Sequence, residues 1–154
     1  MEDTKGQGKG VRGMGNYQEL VFYQKARQVV KKVDALIKSW PKTMQAQEIS
    51  RQLFRSATSV GANIAEGHGR HQGTEYIHYL MIAQGSANET EYWLHTAQDC
   101  ELGTKEEIEE ILKLNNEVVR MMTSTKITIR SKQGTKNLKE EQSEYLTDSD
   151  FTND

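Results

Sequence analysis

The 154-residue chain has one cysteine, one proline and no long apolar run, and each shortage excludes something. Cys100 alone cannot form an internal disulfide, which fits a reducing compartment. A single proline, Pro41, leaves room for long helices, because proline breaks a helix interior. No segment is long and apolar enough to span a membrane, and residues 1–15, with five glycines and no apolar stretch, do not read as a secretory signal. A cytoplasmic protein with no membrane association is expected. Turn residues rarely cluster between Tyr17 and Arg130, and no bounded run alternates polar with apolar residues, so no strand is expected there.

What is present is helical periodicity. Residues 1–15 read as a flexible leader. A first helix is expected from about Tyr17 to Trp40, with Tyr23, Ala26, Val30, Val33, Ile37 and Trp40 stepping by three and four until Pro41 closes it. A second runs from about Met44 to Glu66 on the stripe Ile49, Leu53, Ala57, Val60 and Ile64, with Gly67-His68-Gly69 as its glycine cap. A third runs from Thr74 to about Cys100. A fourth opens at Thr104, whose spacing to Glu107 is that of a capping box, and fades near Arg130 after Ile108, Leu112, Val119, Met122 and Ile129. Residues 131–154 read as an acidic, disordered tail. Short connections make neighbouring helices antiparallel, so the fold class is all-α, an up-down four-helix bundle over residues 16–130.

Charge is segregated along the chain. Residues 16–60 hold eight Lys/Arg against three Asp/Glu, residues 61–130 six against eleven, and residues 131–154 three against six. Such asymmetry makes a field that can steer a partner. Lys25, Arg27, Lys31, Lys32 and Lys38 on the first helix, with Arg51 and Arg55 one turn apart on the second, are the candidate nucleic-acid-binding residues. A solvated helix face is the usual meaning of such charges and stands as the other reading.

The third helix has more apolar surface than one bundle needs. Beside the heptad stripe Tyr76, Leu80, Ala83, Ala87, Thr90, Leu94 and Ala97 runs a second of Tyr79, Ile82, Ser86, Glu89 and Trp93, and a third holds Met81, Gly85 and Tyr92. A helix apolar most of the way round is shared between subunits or central. Tyr79, Ile82, Tyr92 and Trp93 are therefore the candidate oligomer interface. Ser59, Asn63 and Glu66 share one face of the second helix, and Ser86 and Glu89 share one face of the third. If the faces meet, these five form a buried polar cluster that must satisfy itself, fixing helix register.

Asn63-Ile64-Ala65-Glu66-Gly67, Glu75-Tyr76-Ile77, Leu80-Met81-Ile82-Ala83-Gln84-Gly85-Ser86 and Glu89, with Arg55 and Ser59, carry a resemblance. Over about residues 17–125 the chain resembles the four-helix bundle family encoded within 23S rRNA intervening sequences. The resemblance implies a homopentameric ring. It also implies kinship with the accessory variability protein of diversity-generating retroelements, which binds nucleic acid, RNA or DNA, and the element's reverse transcriptase. It implies no enzymatic activity.

The residues add no chemistry of their own. Glu75-x-x-His78 has di-iron spacing once, without the second copy such a site needs, so neither a metal nor a cofactor is expected. The turn with His68, Arg70 and His71 matches neither a P-loop nor a dinucleotide fingerprint. Two functional readings remain. One is a non-enzymatic oligomeric scaffold associated with nucleic acid, as an accessory factor to a reverse transcriptase. The other is a protein-protein interaction scaffold whose acidic half and tail dock a basic partner.

Overall fold

A computed structural model describes residues 15–70 and 73–148, the last eight by backbone alone. Tyr17–Glu19 form a 3₁₀ turn, followed by α1 (Val21–Lys38), α2 (Met44–Gly69), α3 (Gly73–Asp99) and α4 (Lys105–Asp148). Among the described residues there is no strand. α1 packs on α2 and α4, and α3 packs on the same two helices, with α2–α3 the most extensive contact. The arrangement is a four-helix bundle.

Local chemistry sets the helix starts. The Thr43 hydroxyl accepts from Ala46 N at 3.2 Å, just after Pro41 has stopped α1. Thr104 and Glu107 form the expected reciprocal box. Glu107 N donates to Thr104 Oγ1 at 3.3 Å, and Thr104 N donates to Glu107 Oε2 at 3.0 Å. The hydrogen bonds from Thr104 hold the Glu107 carboxyl below the usual carboxylate range. The loop before it turns through Glu101 and Gly103, both at positive φ.

The core has two apolar clusters separated by a polar layer. One cluster gathers residues such as Val33, Leu53, Leu94 and Ile108, and the other Ala26, Ile64, Leu80 and Met122. Between them along the helices lie Ser56 of α2, Thr90 of α3 and Asn115 of α4, all buried. Thr90 Oγ1 lies 3.1 Å from Ser56 Oγ and 2.9 Å from Ser86 O, while Ser56 Oγ donates to Leu53 O at 3.0 Å. Asn115 Nδ2 donates to Ala87 O at 2.9 Å. Three helices are thus laced together at one level, as buried polar groups must be when they have no water.

Three expectations are corrected. On α1 the buried stripe is Phe22, Ala26, Val29, Val33 and Leu36; Tyr23, Val30 and Ile37 are half-buried beside it. Gly67 and Gly69 lie inside α2 rather than capping it, and neither has positive φ. Gly67 instead permits close approach, since a Cβ there would sit 2.5 Å from Tyr79 Cβ. α4 does not fade near Arg130 but runs on to Asp148, so the segment read as a disordered tail is helical as far as it is described. Good helix formers and the Lys136–Glu140 pair one turn apart support that extension without a buried stripe. Residues 149–154 and most of the expected leader, residues 1–14, lie outside the described residues.

Candidate functional site

The basic face predicted on α1 and α2 is largely occupied within the bundle. Lys25 Nζ meets Glu117 of α4 at 2.7 Å, and Lys32 Nζ meets Glu110 of α4 at 2.7 Å. Lys38 pairs with Asp34 at 2.6 Å, and Arg51 pairs with Glu48. Lys25 holds the Glu117 carboxyl below the usual carboxylate range, through a hydrogen bond and its charge. Among the described residues, no ion pair engages Arg27, Lys31 or Arg55, and all three are exposed. The charge asymmetry between the first and second halves of the sequence is therefore spent partly inside the molecule, as α1–α4 pairing.

A denser basic region lies on α4. Residues 118–139 hold Arg120, Lys126, Arg130, Lys132, Lys136 and Lys139 and no acidic residue. Lys126 hydrogen-bonds Gln84, and Lys136 approaches Glu140 at 3.6 Å. Arg120, Arg130, Lys132 and Lys139 are exposed and make no ion pair among the described residues. The signal was legible in the sequence. Dividing the chain at Arg130 split the run between two blocks whose acidic residues outnumbered it.

Where α4 outruns its neighbours, the bundle end is open among the described residues. Gln133 Nε2 reaches Thr74 Oγ1 at 3.4 Å, at the first turn of α3, and α4 continues beyond it for roughly 20 Å at 1.5 Å per residue. A cavity of about 780 Å³ lies there, lined from the 3₁₀ turn, Phe22 of α1, His68 of α2, Gly73 and Tyr76 of α3, and α4. Its apolar lining residues include Leu20, Phe22, Tyr76 and Ile129. His68 stands edge-on to the Tyr76 ring at 6.0 Å, and burial pushes the Tyr76 hydroxyl up to about 12.

The proposed polar cluster does not come together. Asn63 Nδ2 donates to Ser59 O at 2.8 Å, and Ser59 Oγ donates to Arg55 O at 2.8 Å, both within α2. Glu66 is exposed and takes Arg70 at 2.6 Å; Glu89 accepts from Trp93 Nε1 at 3.4 Å; Ser86 offers its carbonyl to Thr90. The i, i+4 spacing placed these residues on one face, but there Ser59, Asn63, Glu66 and Glu89 bond groups of their own helix or its C-cap and do not meet across α2–α3. Among the described residues the buried polar side chains are Ser56, Thr90 and Asn115 of the mid-core layer, with His68 near the end of α2.

Of the candidate interface residues on α3, Ile82 is 40% and Tyr92 61% exposed, with Met81 beside them at 53%. Trp93 is half-buried against the core and edge-on to Tyr92 at 5.0 Å. Tyr79 is half-buried near Gly67 with the Arg70 guanidinium 5.6 Å from its ring centre. Cys100 is half-buried and accepts from Gln45 Nε2 at 3.4 Å. Among the described residues no three His, Cys, Asp or Glu side chains converge as metal ligands, and no described helix is long and apolar enough to cross a membrane.

With that geometry in view, comparison places the chain. Residues 18–124 match the model of the 23S rRNA-intervening sequence protein family. A crystal structure of a protein of unknown function from the S23 ribosomal protein family of Bacteroides thetaiotaomicron is similar at 32% identity and a TM-score of 0.61. The match covers 69% of this chain and 98% of that one. No curated protein matches. The chain therefore belongs to the 23S rRNA-intervening sequence protein family.

Proposed function

We propose that this member of the 23S rRNA-intervening sequence protein family is a non-enzymatic, self-assembling cytoplasmic scaffold that engages nucleic acid through α4. The observation that carries the reading is the uninterrupted basic stretch of residues 118–139, six Lys/Arg without an acidic residue, on a helix that projects past the bundle. Phosphate contacts by such residues give affinity that is steeply salt-dependent and nearly sequence-independent. Arg27, Lys31 and Arg55 supplement it, while Lys25 and Lys32 serve the bundle. The resemblance supports a pentameric ring and a reverse transcriptase as protein partner. The exposed Met81, Ile82 and Tyr92 offer the apolar contact that self-assembly needs, and repetition round a ring turns weak contacts into avidity. Those same side chains favour the second reading, a purely protein-binding scaffold.

The test is titration of labelled RNA at low and physiological salt, with light scattering to report assembly. Reversing Arg130, Lys132 and Lys139 to Glu should abolish binding and flatten its salt dependence. Reversing Arg27 and Lys31 should weaken it less. Absence of binding at low salt, or indifference to the α4 reversal, would favour the protein scaffold.

A further inference from the structure

The geometry points to the open bundle end as a pocket for one unstacked base of a single-stranded nucleic acid, with the flanking phosphates on the α4 lysines. This rests on the nucleic-acid reading and gives it a site.

The argument starts from two adjoining depressions of opposite character. The cavity of about 780 Å³ is within the range of small-ligand sites. Its lining combines apolar residues, Leu20, Phe22, Tyr76 and Ile129, with polar ones, among them Glu19, Ser124 and Thr128. A shallower depression of about 360 Å³ lies next to it on α4, lined only by Ser131, Lys132, Thr135, Lys136 and Lys139. Lys132 and Lys136 line both. An apolar hole that opens across two lysines into a groove of lysines and hydroxyls matches the division of a nucleotide into a flat base and a phosphate.

Glu19 sets the orientation. It is a lining residue of the cavity and not of the lysine depression, so its negative charge disfavours an anion in the cavity, while the lysines at the shared edge attract one. The neutral part of the ligand goes in and the charged part stays at the edge. Glu19 accepts hydrogen bonds, as a base with an amino group requires. An acyl chain with a carboxylate at the lysines would satisfy the apolar residues but leave the Glu19 carboxylate facing hydrocarbon, which is costly. A duplex keeps its bases stacked and paired, so it reaches only the lysine groove. A single strand can splay a base into an apolar recess, and here the base meets the edges of Phe22 and Tyr76, each 6% exposed, rather than an open ring face.

The experiment compares a single-stranded RNA with a duplex of the same length on the full chain, by fluorescence anisotropy. The intact protein is set beside Ser124→Leu/Thr128→Leu, which fills the cavity wall. Both hydroxyls bond only carbonyls of their own helix, so the bundle should survive. Circular dichroism checks this. The single strand should bind about tenfold more tightly than the duplex, and the Leu pair should remove that preference while leaving duplex affinity unchanged. Equal binding of the two forms by the intact protein, or a Leu pair that keeps the preference, overturns the pocket and leaves the nucleic-acid reading standing. No binding of either form at low salt overturns that reading itself. Should the Leu pair misfold, photo-crosslinking of thiouridine-containing RNA to the intact protein decides instead. Adducts on Phe22, Tyr76 or Ile129 support the pocket, and adducts confined to the lysine groove refute it.

Discussion

The polar layer across the core makes a quantitative demand on stability. Thr90 is fully buried, and its hydroxyl has Ser56 Oγ and Ser86 O within hydrogen-bonding distance. Thr90→Val keeps the shape and removes the hydroxyl, so the loss is that of a net buried hydrogen bond, about 1 kcal/mol. Ser56→Ala removes the other oxygen and should cost about the same. Once either is gone the other has lost its cross-helix partner, so the double variant should cost less than the sum by about 0.5–1 kcal/mol. Asn63→Ala, at a half-buried residue bonded to its own helix, should stay within about 0.5 kcal/mol of the parent. The assay is urea unfolding followed by far-ultraviolet circular dichroism at one fixed protein concentration, because assembly makes apparent stability concentration-dependent. A Thr90→Val effect no larger than that of Asn63→Ala, or strict additivity in the cycle, would refute the view that this layer couples α2 to α3.

Two further predictions follow from the same packing. Gly67→Ala should destabilise by about 1–3 kcal/mol, because the new methyl would meet Tyr79 Cβ, which cannot swing away without moving α3; an unchanged midpoint in the same assay would show that the helices have slack. Stability should fall at alkaline pH, between the ordinary tyrosine value of about 10 and the raised value of about 12, because the folded state holds the Tyr76 proton that the unfolded state releases; Tyr76→Phe should reduce that fall, and an identical alkaline profile in both proteins would refute the assignment.

Some of the architecture was legible because burial and periodicity coincide. Every residue of the α3 heptad stripe from Tyr76 to Ala97 is buried, since only one face of that helix carries an uninterrupted small-and-apolar repeat. α1 was harder. Phe22-Tyr23, Val29-Val30 and Leu36-Ile37 are adjacent apolar pairs, so spacing alone cannot choose which member points inward. Asn63 and Glu66 were misplaced for a related reason: spacing reveals that residues share a face, but not whether that face turns inward. Ser56, Thr90 and Asn115 sit within runs of buried positions, and that was the stronger signal. The extension of α4 escaped because an overhanging helix buries no stripe. Likewise, the partners of Lys25 and Lys32 lie on α4, far along the chain, where local charge patterning cannot find them.

The division of charge along α4 determines how any mutational test of binding must be read. Its first part, residues 105–117, holds five acidic residues and two basic ones, and two of those acids, Glu110 and Glu117, receive lysines of α1. Its later part, residues 118–139, is wholly basic among its charged residues. Reversing Lys25 would therefore set two carboxylates against each other across α1 and α4. A resulting loss of RNA binding would report damaged packing as readily as a lost contact. The pair also carries a pH signature. The Glu117 carboxyl is held low by Lys25, so the stability it contributes is present above the ordinary carboxylate value and is lost as pH falls through the lowered one. Glu107, held low by Thr104, has the same signature, so only the acid weakening that Glu117→Gln removes belongs to this pair. Arg130, Lys132 and Lys139 have no such entanglement, since none forms an ion pair among the described residues. Reversal at those three positions is the perturbation whose effect on RNA can be separated from its effect on the bundle.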